Sequence, residues 1–192
     1  MNARGPLAGR TISVFGSSTL LPEEPGWAVA ETLGRRLAEA GARVVNGGYG
    51  GAMEAVSRGA RAAGGQVVGV TVALFPQRVP NPYLSEERRT RTLMERLQHL
   101  VQADAFVALD GSLGTVTEFF LVWNHIFLDR SHGPLVCLGE SWRERLRVLG
   151  GGGFGIGSDV RALVRVAADP AEAVRMLEEA MGAAIKAEGA GG

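Results

Sequence analysis

The sequence predicts an α/β protein: a doubly wound, Rossmann-like parallel sheet with helices on both faces. Two observations carry this. Short β-branched runs alternate with amphipathic stretches of helical period along the chain. Three of the runs, ending at Phe15, Asn46 and Leu109, open into small or glycine-rich turns, as strands do before a crossover helix. The length of 192 residues, with no internal repeat, fits a single Rossmann-like domain over 1–192, with 185–192 expected as a disordered tail.

The elements follow in order. Thr11 to Phe15 (TISVF) reads as a buried strand and runs into Gly16-Ser17-Ser18-Thr19. Trp27 to Ala40 sets Val29, Leu33, Leu37 and Ala40 at helical spacing, and Gly41 supplies a C-cap. Arg43 to Asn46 is a second strand; Gly47-Gly48-Tyr49-Gly50-Gly51 then leads into a helix from Ala52 to Ala63. Gly64-Gly65 ends that helix before a third strand, Gln66 to Val72. Residues 73 to 87, with three prolines and no periodicity, read as a loop. A helix over Thr92 to Gln102 precedes an apolar strand, Ala105 to Leu109. Asp110 to Thr115 forms the next turn, and Thr115 to Leu128 is helical. Pro134 to Leu138 is a strand, Ser141 caps a short helix through Leu149, and Gly150 to Gly157 is a glycine-rich, mobile stretch. Val160 to Val166 is a last strand. Asp169-Pro170 starts a terminal helix, with Asp at the N-cap and Pro at the first helical position.

Composition removes several kinds of function. Lys+Arg and Asp+Glu both number 20, so no basic surface is expected to hold nucleic acid through phosphates. Lys186 is the only lysine, and it sits in the final residues. Pyridoxal-phosphate Schiff-base chemistry and a Walker-type phosphate loop therefore lack their lysine. No apolar stretch is long enough to span a membrane, and Met1 to Arg10 lacks a secretory apolar core. Cys137 has no partner for a disulfide, which fits a cytoplasmic location. His99, His125 and His132 are scattered without zinc-type spacing, so neither a metal nor another cofactor is expected.

Chemistry is sought at the glycine turns. In open α/β sheets ligands bind beyond the carboxyl ends of the strands. Glycine permits close backbone approach, and the N–H groups at a helix start attract anions. Gly47-Gly48-Tyr49-Gly50-Gly51 alone is equally readable as a tight turn without a ligand; it is not a G-x-G-x-x-G fingerprint, and no acidic residue ends its strand. A second such turn, Asp110-Gly111-Ser112-Leu113-Gly114-Thr115-Val116-Thr117-Glu118, changes the weighing. Two glycine turns at the ends of neighbouring strands suggest one phosphate cradle, with Glu118 in the first part of the following helix.

Those two segments carry a resemblance. GGYGGAMEAVSRGARAAGGQVVGV resembles the first signature of the Lonely Guy family, whose members are often labelled lysine decarboxylases. ADAFVALDGSLGTVTEFFLVWN resembles the second, usually written P-G-G-x-G-T-x-x-E. The similarity runs from about Thr11 to Leu138 with the order and spacing of both motifs kept. It implies a Rossmann-like homodimer that binds a nucleoside 5′-monophosphate and hydrolyses its N-glycosidic bond, releasing base and ribose 5-phosphate.

Carried over by position, Glu118 matches the terminal glutamate, and Gly111, Gly114 and Thr115 match phosphate-side positions. Gly47, Gly48, Gly50 and Gly51 match the upstream turn. Arg96 matches an arginine of the helix before the second motif, although Leu97 stands where lysine usually follows; Arg91 is the other candidate. Asp110 replaces the motif proline, Ser112 its second glycine, and Thr117 a common glutamate. Facing inward, the Asp110 carboxylate would repel a phosphate; facing outward, it would be an ordinary turn residue.

The resemblance thus assigns Glu118 and Arg96 to catalysis. Gly47, Gly48, Gly50, Gly51, Gly111, Ser112, Gly114 and Thr115 are assigned to substrate and phosphate binding; Gly16 and Ser17, with Ser18, follow the first strand and are equally readable as a phosphate- or ribose-binding turn or as a turn capped by small polar residues. A carboxylate suits the oxocarbenium-like sugar of glycosidic cleavage, and an arginine fork suits phosphate or ribose oxygens. Trp123 and His125 read as packed helix residues, and Cys137 as a small buried hydrophobe. The alternative function is a non-catalytic nucleotide or molybdenum-cofactor carrier of the same fold. Lysine decarboxylation is the weakest reading, given the single lysine.

Overall fold

The computed structural model describes residues 5–150 and 155–189. Seven strands form one parallel sheet: β1 (Thr11–Phe15), β2 (Arg43–Asn46), β3 (Val67–Val72), β4 (Glu86–Thr90), β5 (Ala105–Ala108), β6 (Leu135–Leu138) and β7 (Val164–Ala167). Between and after them lie α1 (Pro25–Glu39), α2 (Ala52–Ala62), α3 (Leu93–Leu100), α4 (Leu113–Leu128), α5 (Ser141–Gly150), α6 (Ser158–Arg161) and α7 (Pro170–Gly189). The sheet order is β4-β3-β2-β1-β5-β6-β7, with Ile12 paired to Val44 on one side and to Ala105 on the other.

Strand alternation divides the interior into two cores. Ile12, Val14, Val44, Val67 and Val107 pack under α1, α2 and α7. Phe15, Val45, Val68, Phe106 and Cys137 pack on the opposite face under α3, α4 and α5. Both faces being covered, the central strands are buried along their length, the condition under which parallel sheets are stable. The doubly wound α/β fold expected from the sequence is the one observed. Among the described residues no helix is long and apolar enough to cross a membrane.

Three local expectations are corrected. β1 lies between β2 and β5, so the two glycine turns flank a strand instead of ending adjacent ones. Winding reverses there, between β1 and β5, which makes the crevice above these strands the topological switch point. The segment read as loop through residue 87 contains the start of β4, whose EERRT side chains are mostly exposed. This strand exists because its backbone pairs with Val68 to Val72, and its charges guard the sheet edge; no apolar pattern marks it. The expected last strand is shifted: Ser158–Arg161 is a helical turn and Val164–Ala167 is the strand, paired with Leu135–Leu138. The terminal helix α7 runs to Gly189; 190–192 of the expected tail lie outside the described residues, as do 151–154 of the expected mobile stretch.

Candidate active site

The site is built from the ends of β1, β2 and β5. Asn46, fully buried at the end of β2, organises the first turn: its side-chain oxygen accepts from Gly48 N–H at 2.8 Å, and its amide donates to Ser57 Oγ at 2.9 Å. Gly48 and Gly51 take φ of 78° and 71°, the left-handed region that glycine enters without strain. Tyr49 then turns inward, its hydroxyl donating to Val72 O at 3.2 Å and accepting from Val72 N–H at 2.9 Å. Asn81 from the β3–β4 connection clamps the same turn, with its backbone N–H on Gly48 O and its side chain on Tyr49 O.

The second turn delivers the N-terminus of α4. The helix starts at Leu113, two residues earlier than its sequence suggests, with extended Ser112 as N-cap. Val116 N–H makes the first helical bond, to Ser112 O, so the N–H groups of Leu113, Gly114 and Thr115 have no intrahelical acceptor. Three such groups at the positive end of a sixteen-residue helix are free to receive an anion. Asp110 does not oppose it. Its carboxylate faces α5, accepting from Ser141 Oγ at 2.7 Å and pairing with Arg145. The outward orientation is the one realised.

Between these turns lies a cleft of about 310 Å³. Of the residues assigned from sequence, Gly16, Arg96, Ser112, Gly114, Thr115 and Glu118 line it, together with Ser18. Gly47 stands behind Arg96, where a Cβ would collide with the guanidinium. Ser17, Gly48, Gly50, Gly51 and Gly111 shape the turns without lining the cleft. The Ser17 hydroxyl is occupied locally, accepting from Thr19 N–H at 3.1 Å. Arg91 is exposed before α3 and bonds through its backbone to Glu95, away from the cleft. Trp123 donates to Val160 O and belongs to the core. The residues that sequence reasoning missed are Tyr49, Phe75, Arg78 and the apolar Leu93 and Leu97. Tyr49 stands inside the glycine motif and was open to notice; Arg78, in an aperiodic loop, had no signal.

At the floor of the cleft Arg96 meets Glu118. The two are 8% and 6% exposed, and Arg96 Nη1 donates to Glu118 Oε1 at 3.2 Å. Arg96 Nε donates to Val70 O at 2.9 Å, fixing the fork against β3, and Nη2 reaches Gly47 O at 3.5 Å. Burial pushes the Glu118 carboxyl up to about 7, and the Arg96 charge pulls back only part of that rise. A carboxyl balanced near neutrality in a cleft beside an anion site can accept a proton or stabilise positive charge there. Cys137, by contrast, is a buried thiol whose burial drives its pKa upward, and it lies off the cleft. Among the described residues no group of three or more His, Cys, Asp or Glu could hold a metal ion.

Comparison with known proteins places this arrangement. The SLOG cluster4 family model matches residues 9–128. A rice protein (Oryza sativa subsp. japonica) described as a probable cytokinin riboside 5′-monophosphate phosphoribohydrolase is 39% identical over 118 residues, covering 60% of this chain and 50% of the relative. The chain thus spans about half the length of that relative. A Mycobacterium marinum cytokinin riboside 5′-monophosphate phosphoribohydrolase is 34% identical over 147 residues, covering 74% of this chain and 77% of the relative. Among solved structures, TM1055 superposes with a TM-score of 0.71 at 31% identity, covering 88% of this chain and 99% of that one. The molybdenum cofactor carrier protein of Chlamydomonas reinhardtii gives 0.70 at 22% identity over 90% and 98%, a likeness of fold alone. The model match runs from β1 to the end of α4 and so takes in both glycine turns, Arg96 and Glu118: the chain belongs to the SLOG cluster4 family, of Lonely Guy type.

Proposed function

We propose that this protein is a nucleoside 5′-monophosphate phosphoribohydrolase. The observation that carries the reading is the buried Glu118 carboxyl held by Arg96, one turn along α4 from three unpaired N–H groups. In this reading the phosphate sits on the N–H groups of Leu113, Gly114 and Thr115, with Ser18 and Ser112 hydroxyls alongside. The ribose then lies over Glu118. As the C1′–N bond breaks, its electron pair leaves with the base, and positive charge grows on the sugar. The Glu118 carboxylate stabilises that charge and takes a proton from the water that attacks C1′. The departing base takes up a proton, giving free base and ribose 5-phosphate. Arg96 is fully engaged with Glu118, Val70 and Gly47 on its inner side, which makes positioning of the carboxylate its first task.

The names of the phosphoribohydrolase relatives support this reaction. The test is a panel of nucleoside monophosphates assayed for free base and ribose 5-phosphate, with wild type and Glu118→Ala side by side. Release that disappears in the variant is expected. Release that persists undiminished removes Glu118 from the mechanism, and ligand-induced thermal shifts without release would make the protein a carrier.

A homodimer and a cytoplasmic location belong to the same proposal. Leu113, Val116, Phe120 and Phe127 stand exposed at helical spacing along α4, an apolar stripe of the kind that oligomer interfaces cover. Sedimentation should give a dimer for wild type and a monomer for Phe120→Glu; a monomeric wild type discards the assignment.

A further inference from the structure

β3 runs on past the end of β2. Its register with β2 stops at the Asn46–Gly69 pair, yet the strand continues through Val70, Thr71 and Val72. The outer edge of this overhang is held by β4, which pairs with it as far as Val72 and Thr90. The inner edge has no strand beside it, and buried backbone groups must find partners elsewhere. Two side chains stand in for the missing strand. Arg96 Nε donates to Val70 O at 2.9 Å. The Tyr49 hydroxyl donates to Val72 O at 3.2 Å and accepts from Val72 N–H at 2.9 Å. Tyr49 and Val72 are both buried, and the Tyr49 ring meets Phe75 edge to face with centroids 5.9 Å apart. The turn carrying Tyr49 is itself fixed, since the Asn81 amide donates to Tyr49 O at 3.1 Å. The hydroxyl thus joins a clamped glycine turn to the overhang, two residues beyond the carbonyl that anchors Arg96.

We infer that Tyr49 is a positioning residue: its hydroxyl pins the overhanging end of β3, so that Val70 O holds the Arg96 fork against Glu118. With its proton committed to Val72 O, the hydroxyl acts through Arg96 and not on substrate. The consequence for turnover rests on the phosphoribohydrolase reading; the consequence for the Glu118 proton does not. Arg96 of α3 and Arg78 of the β3–β4 connection are the charged groups that line the cleft with Glu118, and Arg96 is the one bonded to it. A loosened fork withdraws positive charge from the carboxylate, so the carboxyl keeps its proton to higher pH. Phosphate binding, placed on the N–H groups of α4, does not draw on the end of β3.

The experiment compares Tyr49→Phe, which keeps the ring and removes the hydroxyl, with Thr90→Val. Thr90 Oγ1 donates to Thr71 O at 2.7 Å, so this second variant removes a hydrogen bond from the outer edge of the same overhang. Circular dichroism checks the fold of each. Two readouts follow: a carbon-13 NMR titration of the Glu118 carboxyl, assigned by its absence in Glu118→Gln, and the pH profile of base release from nucleoside monophosphates, with kcat and KM separated. In Tyr49→Phe the Glu118 midpoint should rise by at least about half a pH unit, a change of about threefold in proton affinity. Its kcat should fall about tenfold while KM stays within about twofold. Thr90→Val should leave the midpoint in place. An unmoved midpoint in Tyr49→Phe, or an equal rise in Thr90→Val, overturns the inference; persisting base release then leaves the hydrolase reading standing. A midpoint that rises in Tyr49→Phe alone, in a protein that releases base from no nucleotide, supports the positioning role and overturns the hydrolase. Should Tyr49→Phe fail to fold, Phe75→Leu, which removes the ring braced against Tyr49 and keeps the hydroxyl, is read in its place. The same upward shift is expected, and an unmoved midpoint overturns the inference.

Discussion

Replacing Glu118 with glutamine should stabilise the protein above neutral pH while abolishing its activity. The carboxyl is raised from an ordinary 4.5 to about 7, first by burial and against the pull of Arg96. A group with this displacement binds its proton more tightly in the folded state. The stability attached to the neutral form is complete below pH 4.5, is lost as pH climbs to about 7, and changes no further above that. The separation corresponds to about 3 kcal/mol. Glutamine is a neutral isostere whose side-chain oxygen can still accept from Arg96 Nη1, so it mimics the protonated state at every pH. At pH 8 the variant should exceed wild type by up to about 3 kcal/mol, a Tm gain of about 6–12 °C for a chain of this size. At pH 4.5 the two should converge.

Denaturant unfolding of both proteins at pH 4.5, 6 and 8, read as the difference between them, isolates Glu118 from every other titrating group. The competing expectation has the opposite sign. If Coulomb attraction within the buried pair outweighed desolvation, removing the carboxylate would cost about 3–5 kcal/mol at pH 8. A Glu118→Gln variant less stable than wild type at pH 8, with a difference independent of pH, would refute the reasoning. The predicted result would identify Glu118 as a carboxyl kept at a cost to stability, as expected of a group retained for chemistry.

Other consequences are open to measurement. Base release should rise with pH and level off above about 7, because the ionised form of Glu118 is the one that stabilises the sugar cation; a kcat/KM profile falling through that range would contradict the role. Gly47→Ala should push a methyl group into the Arg96 guanidinium, lowering stability by about 1–3 kcal/mol and activity at least tenfold, as read by thermal unfolding and base release. Asp110→Asn should change nucleotide affinity less than twofold and stability by less than about 1 kcal/mol, since the carboxylate faces Arg145 and Ser141 at the surface. A marked gain in affinity for that variant would mean that the carboxylate acts on the phosphate after all.

Much of this molecule is legible along the chain because burial imposes pattern. β1, β2, β3, β5 and β6 are covered on both faces, so TISVF or LVCL can be recognised as strands without any tertiary information. The two glycine turns are equally legible, since a backbone that must turn sharply at a strand end needs glycine wherever the chain lies. Residue types also bear on exclusions: a single lysine, at position 186, argues against Schiff-base chemistry. β4 was hidden because an edge strand is defined by its partner's backbone, and EERRT carries no apolar trace of it.

The rest was decided by the third dimension. That Asp110 turns toward Arg145 depends on where α5 packs, 31 and 35 residues along the chain. The Glu118 carboxyl acquires its perturbed proton affinity from burial beside Arg96 of α3, not from its place in a motif. Arg78 reaches the cleft because Asn81 and the rings of Tyr49 and Phe75 hold an aperiodic loop against a glycine turn about thirty residues earlier. Sequence by itself determined which elements form and which chemistries are absent, because those follow from local pattern and composition. Tertiary structure alone decided which charges face the cleft and how strongly each holds its proton, because desolvation and orientation depend on neighbours distant in the chain.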